Sequence, residues 1–243
     1  AQARVTPMEG MSISYVLGVD TYTQSGRAFV PRGSTAGGFS GGFSRRADFE
    51  VLNLNNDLRL QYRADLSPTL QSTTTLGGTS QYEENSTFAI ETFDLNIGVE
   101  TVDGGSRPSP IGESRSESTL LGAFVQQTFG IADQLFVTAA GRVDASSRFG
   151  EDNRTNLYPK LSASYDAGAN DAYRRMAAGG ALPSTLRLRA SYGESGGLTS
   201  IGPYTRFTRY APGSYVGSNG LVPPGLLGNP DVLPERQREL EFG

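Results

Sequence analysis

Along residues 54–66 apolar and polar side chains alternate with little interruption. Leu54, Leu58, Leu60, Tyr62, Ala64 and Leu66 fall on one face; Asn55, Asp57, Arg59, Gln61, Arg63 and Asp65 fall on the other. Successive side chains of a strand point to opposite sides, so this segment has one greasy wall and one wet, charged wall. It is longer than the usual globular strand of ~5–6 residues. It suits a tilted bilayer span, which needs ~9–11. The same alternation predicts strands at 11–22 (Ile13, Tyr15, Leu17, Val19), 69–82, 116–130, 135–144, 157–166 and 185–193, with an eighth beginning near Arg236.

The connections have a rhythm of their own. Ser67–Pro68 and Ile131–Asp133 are tight turns, whereas 23–50, 83–115 and 194–235 read as long loops. Brief turns at one end and extended loops at the other are the pattern of outer-membrane barrels. The segment 167–184 is too long for a tight turn, and Asp171–Ala178 followed by Gly179, Gly180 and Pro183 predicts a short helix inside it. The expected fold is therefore all-β: about eight antiparallel transmembrane strands of an incomplete β-barrel, with short periplasmic turns and long extracellular loops. A soluble or surface-exposed β-sandwich that binds carbohydrate is the alternative, because alternation does not say whether the apolar face meets a core or lipid.

Composition narrows the chemistry. The 243 residues contain no cysteine and no histidine. Disulfides, thiolate metal sites, Ser-His-Asp or Cys-His nucleophiles and HExxH zinc centres all lack their parts. Net charge is −4, with no basic patch interleaved with aromatics, so nucleic acid is not an expected partner. No apolar run reaches the ~20 residues of a spanning helix. Glu83 and Glu84 are neighbours and point to opposite faces of a strand, which makes a poor glycosidase pair. Glu151–Asp152–Asn153 lacks EF-hand spacing, and the Gly/Ser-rich stretch 33–44 has no phosphate-binding lysine. Neither an enzyme nor a cofactor or metal is expected.

Four stretches carry a family resemblance. Residues 120–154 and 156–165 present Thr138, Arg142, Asp144, Ser146, Ser147, Phe149, Gly150, Pro159, Ser162 and Tyr165 at the spacing of a strand-to-loop-to-strand signature. LRLRASYGESGG (186–197) and LLGNPDVLPERQRELEFG (226–243) follow in order, the latter with Gly228, Asn229, Pro230, Asp231, Pro234, Glu235 and Glu241. YVLGVDTYTQ (15–24) fits an earlier strand. Together they resemble the barrel of TonB-dependent outer-membrane transporters of the SusC/RagA type. The resemblance implies active import of a large or scarce solute (glycan, peptide or siderophore-like) across the outer membrane. It further implies a plug domain, a signal peptide and more barrel strands outside this chain, coupling to the TonB energy-transducing complex, and a SusD-like surface lipoprotein as partner.

Two sets of residues are candidates for function. Tyr204, Phe207, Tyr210 and Tyr215, in the long 194–235 loop, offer flat rings on which a solute can stack. Arg142, Asp144, Arg187 and Arg189 sit at polar-face positions, where they are expected to line the lumen or face the plug and to meet opposite charges. Tyr82 and Tyr192 near one end of the strands, and Phe129 and Tyr165 near the other, suit aromatic girdles.

Overall fold

The computed structural model describes residues 1–35, 38–109, 112–180, 183 and 185–243. Twelve strands and one helix are found among them: β1 (Gln2–Met8), β2 (Met11–Val30), β3 (Phe43–Ser67), β4 (Leu70–Leu95), β5 (Gly105–Pro108), β6 (Gly112–Ile131), β7 (Leu135–Ser146), β8 (Thr155–Asp166), α1 (Asp171–Ala177), β9 (Arg187–Gly197), β10 (Ala211–Tyr215), β11 (Ser218–Val222) and β12 (Glu235–Phe242). The main sheet runs β1-β2-β3-β4-β6-β7-β8-β9-β12, with β5 beside β4, and β10–β11 form a separate hairpin. Neighbours in sequence are neighbours in space, as in an up-and-down meander. Among the described residues β1 and β12 do not pair with each other, so the meander is an open part of a barrel.

The eight expected strands are present, but several are longer than alternation indicated. β3 has 25 residues and β4 has 26. Much of what read as loop in 23–50 and 83–115 is thus strand. Its Thr, Ser, Gly and Arg content hides the period, because a strand wetted on both faces needs no greasy row. The sequence reading also did not anticipate β1, β5 or the β10–β11 hairpin.

The chain divides into two compact units, 1–17, 55–81 and 119–243, and 18–54 and 82–118. In the second unit, loop 31–42 is stitched to the end of β4: Asp94 and Leu95 donate backbone N–H groups to Gly42 and Gly41, and the Arg32 guanidinium donates to the Leu95 carbonyl. Phe43 lies 5.2 Å from Phe93 and 4.9 Å from Phe39, and Leu95 and Thr92 are buried beside them in sequence.

The first unit holds the tight turns. Ala132 and Asp133 both take positive φ (52° and 54°) in the three-residue connection between Ile131 and Leu135, which Gln134 N–H closes onto the Ile131 carbonyl. The Ala132 N–H donates to Thr69 in the neighbouring turn, and Asp166 N–H donates to Gln134. The expected helix forms as α1. Asn170 caps it, its side chain accepting from the N–H groups of Ala172 and Tyr173. Gly180, at φ +80°, follows its end.

Register fixes which residues share a face. Across β6, β7 and β8 run the rows Ala123–Val143–Leu157 and Gln127–Ala139–Leu161, the second continuing to Tyr192 on β9 and Leu240 on β12. The opposite face carries Phe124–Arg142–Tyr158, Gly122–Asp144–Asn156 and Thr128–Thr138–Ser162–Ser191. Leu121, Val125, Leu157, Leu161, Leu188 and Leu240 are all more than half, or close to half, exposed. Among the described residues, buried apolar side chains are few (Val51, Leu95, Phe149, Tyr158, Ala167 and Leu198), so this is a wall and not a globular core.

Candidate functional site

The polar face of β6–β9 is built on glycines. A Cβ at Gly77 would strike the Phe124 ring, and one at Gly196 the Tyr158 hydroxyl. At Gly122 it would meet the Arg142 guanidinium, the Asp144 carboxylate and the Thr79 hydroxyl. Large side chains therefore lie down across their neighbours' bare backbone, an arrangement known from other β-barrels.

Arg142 and Asp144 are the centre of this face. Arg142 Nε donates to Asp144 Oδ2 at 2.8 Å, and its Nη2 lies 2.7 Å from Oδ1, a two-pronged pair. The same nitrogen donates to Thr79 Oγ1 at 2.9 Å, and the guanidinium lies 6.0 Å from the centre of the Phe124 ring. Asp144 is buried. With Arg59, Tyr158, Lys160 and Glu194 these residues line a cavity of about 520 Å³. Arg187, at the short-turn end, pairs with Asp166 at 2.7 Å. Arg189 stands opposite Ser164 and lines another hollow with Thr138, Ser162 and Glu241. The carboxylates that meet Arg142 and Arg187 thus come from the same or the adjoining strand.

Sequence reading passed over Glu194, Arg236 and Arg238. Glu194 is within 3.1 Å of Arg236 and 3.3 Å of Arg238, and Tyr192 donates its hydroxyl to Glu194. The signal was available in ERQRE, a charge-rich run opposite GESGG, but without the register the partners were not apparent.

The long connection from β9 to β12 is anchored to loop 147–154. Phe149 is 0% exposed, packed with Tyr158 and Leu198 and flanked by Leu120, Ile201 and Val232. The Arg148 guanidinium donates to the carbonyls of Thr199 (3.0 Å) and Ile201 (2.8 Å), and the Ser146 hydroxyl to that of Leu198 (3.2 Å). Two glycines of the recurring signatures sit where backbones touch. A Cβ on Gly150 would meet the Pro230 carbonyl, and one on Gly228 the Phe207 backbone. Gly228 N–H donates to Thr208 Oγ1, and Asn229 N–H to the Thr205 carbonyl. The Asn229 side chain closes a turn onto Asp231 N–H.

This frame holds a turn that carries three of the four candidate aromatics. Tyr204 and Phe207 have ring centres 6.5 Å apart, and Phe207 and Tyr210 are 49% and 56% exposed. Tyr215 closes the β10 strand, opposite Ser218; its side chain lies outside the described residues. Sequence reading missed the arginines between them. Arg206 lies 4.3 Å from the Phe207 ring centre and Arg209 5.8 Å from that of Tyr204.

Residues 11–243 match the family model described as TonB-dependent receptor-like, beta-barrel. The chain belongs to that family. It is an outer-membrane β-barrel segment, and the family consists of receptors and not enzymes. Among curated proteins it is similar to TonB-dependent receptor P26 of Formosa agariphila, 28% identical over 183 residues, which is 72% of this chain and 18% of that protein. Among solved structures it is similar to a chain in the structure of the RagAB peptide transporter, with TM-score 0.87 and 21% identity over 99% of this chain and 27% of that one. Chains from the RagAB peptide importer in its closed-closed and open-open states each give 0.83, at 21% identity and 26% of their length. The chain spans about a fifth to a quarter of the relatives it matches.

Proposed function

We propose that this segment forms barrel wall and external loops of a TonB-dependent importer for a large or scarce solute, of the glycan, peptide or siderophore-like kind. The observation that carries the proposal is the two-faced wall. One face is a field of exposed leucine and valine, and the other is a polar lining in which Arg142 pairs with Asp144 and donates to Thr79. In water the apolar face would be a large sticky patch; against hydrocarbon it is the favoured surface. The soluble-sandwich alternative needs a second apolar layer on that face, and its leucines have none among the described residues.

On this reading Arg142, Asp144, Arg187 and Arg189 line the lumen, where a plug domain carried elsewhere in the protein packs against them. A TonB complex acts through that plug, and a SusD-like lipoprotein closes over the loops. The likeness to RagAB, a peptide transporter by its title, favours this assembly. The test is uptake by cells carrying the intact protein. Import of a solute that stops on loss of TonB, with the protein recovered from the outer-membrane fraction only by detergent, is the expected result. Recovery of the intact protein as a monodisperse species in plain buffer would overturn it.

A further inference from the structure

The loop between β9 and β12 has an unusual charge economy. Its only charged side chains from 198 to 234 are Arg206, Arg209 and Asp231, in a chain whose net charge is −4. Several arginines elsewhere are paired with carboxylates, among them Arg45 with Glu91, Arg107 with Asp94, Arg115 with Glu84 and Glu117, Arg142 with Asp144, and Arg187 with Asp166. Among the described residues neither Arg206 nor Arg209 has a carboxylate partner. Each has an aromatic face as its partner, and Arg206 Nε is buried with no acceptor among the described residues.

A guanidinium stacked on a ring keeps its edge donors free, because the ring engages only the flat face. Two such cations three residues apart repel each other until an anion joins them. Their carriers are not floppy, since the turn is tied at Thr205, Thr208 and the Phe207 backbone to Gly228–Asn229. A rigid pair of unmatched forks is prepared for a carboxylate or sulfate. The adjoining Phe207 and Tyr210 are 49% and 56% exposed. Exposed flat rings suit the C–H faces of a sugar, whereas a peptide side chain is held in a hollow.

We propose that Arg206 and Arg209 are the anion-reading part of the external solute site, and that the solute captured there is an acidic oligosaccharide bearing uronate or sulfate groups. This rests on the importer reading and names its cargo class. The test uses the intact receptor, purified in detergent, and calorimetric binding of hexasaccharides that are neutral, uronate-bearing or sulfated, with hexaglutamate as a fourth probe. At least one acidic sugar should bind more tightly than the neutral one, with affinity falling as salt rises. The double variant Arg206→Gln/Arg209→Gln should lose at least tenfold for that sugar, and a larger factor for it than for the neutral sugar. Arg206→Lys/Arg209→Lys, which keeps charge without the fork, should fall between the two. A shift in gel mobility on heating verifies that each barrel is folded. Equal or tighter binding of the neutral sugar, preference for hexaglutamate, no binding of any acidic sugar, or a Gln variant with parental affinity would each overturn the assignment. TonB-dependent uptake of a neutral solute would sink this inference and leave the importer standing.

Discussion

On β8 the side chains of Leu157 and Leu161 stand 57% and 56% exposed, while Tyr158, between them and pointing the other way, is 5% exposed. The two faces of one strand follow opposite rules. On the first, bulk and apolarity are abundant and contacts between side chains are few. On the second, glycines, hydroxyls and ion pairs pack against one another. A soluble sheet reserves its tightest fit for the apolar face, because water drives that face inward. Here the apolar face needs only to be oily, since lipid adapts to its shape. The polar face must satisfy itself, because a charge left unmatched against the wall is costly.

That contrast can be broken at chosen points. The largest effect is expected where the polar face meets the loops. Phe149→Ala empties a closed pocket between Tyr158 and Leu198, at a cost of about 4 kcal/mol, and urea unfolding with limited proteolysis should show 198–234 cut before the barrel opens. Next, Leu161→Arg should destabilise the barrel in lipid by about 3 kcal/mol, whereas Ser162→Arg, one position on, should be close to neutral. Equal losses at the two positions in a folding titration into vesicles would abolish the distinction between the faces. Asp144→Asn leaves Arg142 with a weaker partner and should cost about 2 kcal/mol, read in the same titration. The smallest effect, about 1 kcal/mol, belongs to Asn170→Ala, which removes the α1 cap on the short-turn side. It should appear as faster amide exchange at Ala172 and Tyr173, with the barrel unchanged.

The alternation of Leu54 to Leu66 and of Leu157, Leu161 and Tyr165 made the wall legible, because a surface facing lipid on one side leaves a period-two record. Asp171–Ala178 was legible as a helix for a similar reason: its glycines and proline mark where it stops. β4 beyond Tyr82 was not, since Glu84 and Ser86 interrupt the face that Tyr82 shares with Phe88 and Ile90. In the candidate site the aromatic rings could be found from residue type alone, but not the arginines lying on them. Stacking is a relation between side chains that only the folded turn creates. Gly122 was equally silent, and Gly150 and Gly228 were visible as signature residues but not for what touches them, because a glycine chosen for what crosses it reads in the sequence as one more flexible position.

The glycines beneath Phe124 and Tyr158 have a consequence for passage through such a barrel. On the importer reading that face lines the passage, and the glycines let the rings occupy space that side chains at those positions would fill. A single added methyl at Gly77 or Gly196 would force the Phe124 or Tyr158 ring to move, with no change in strand number and no loss of charge.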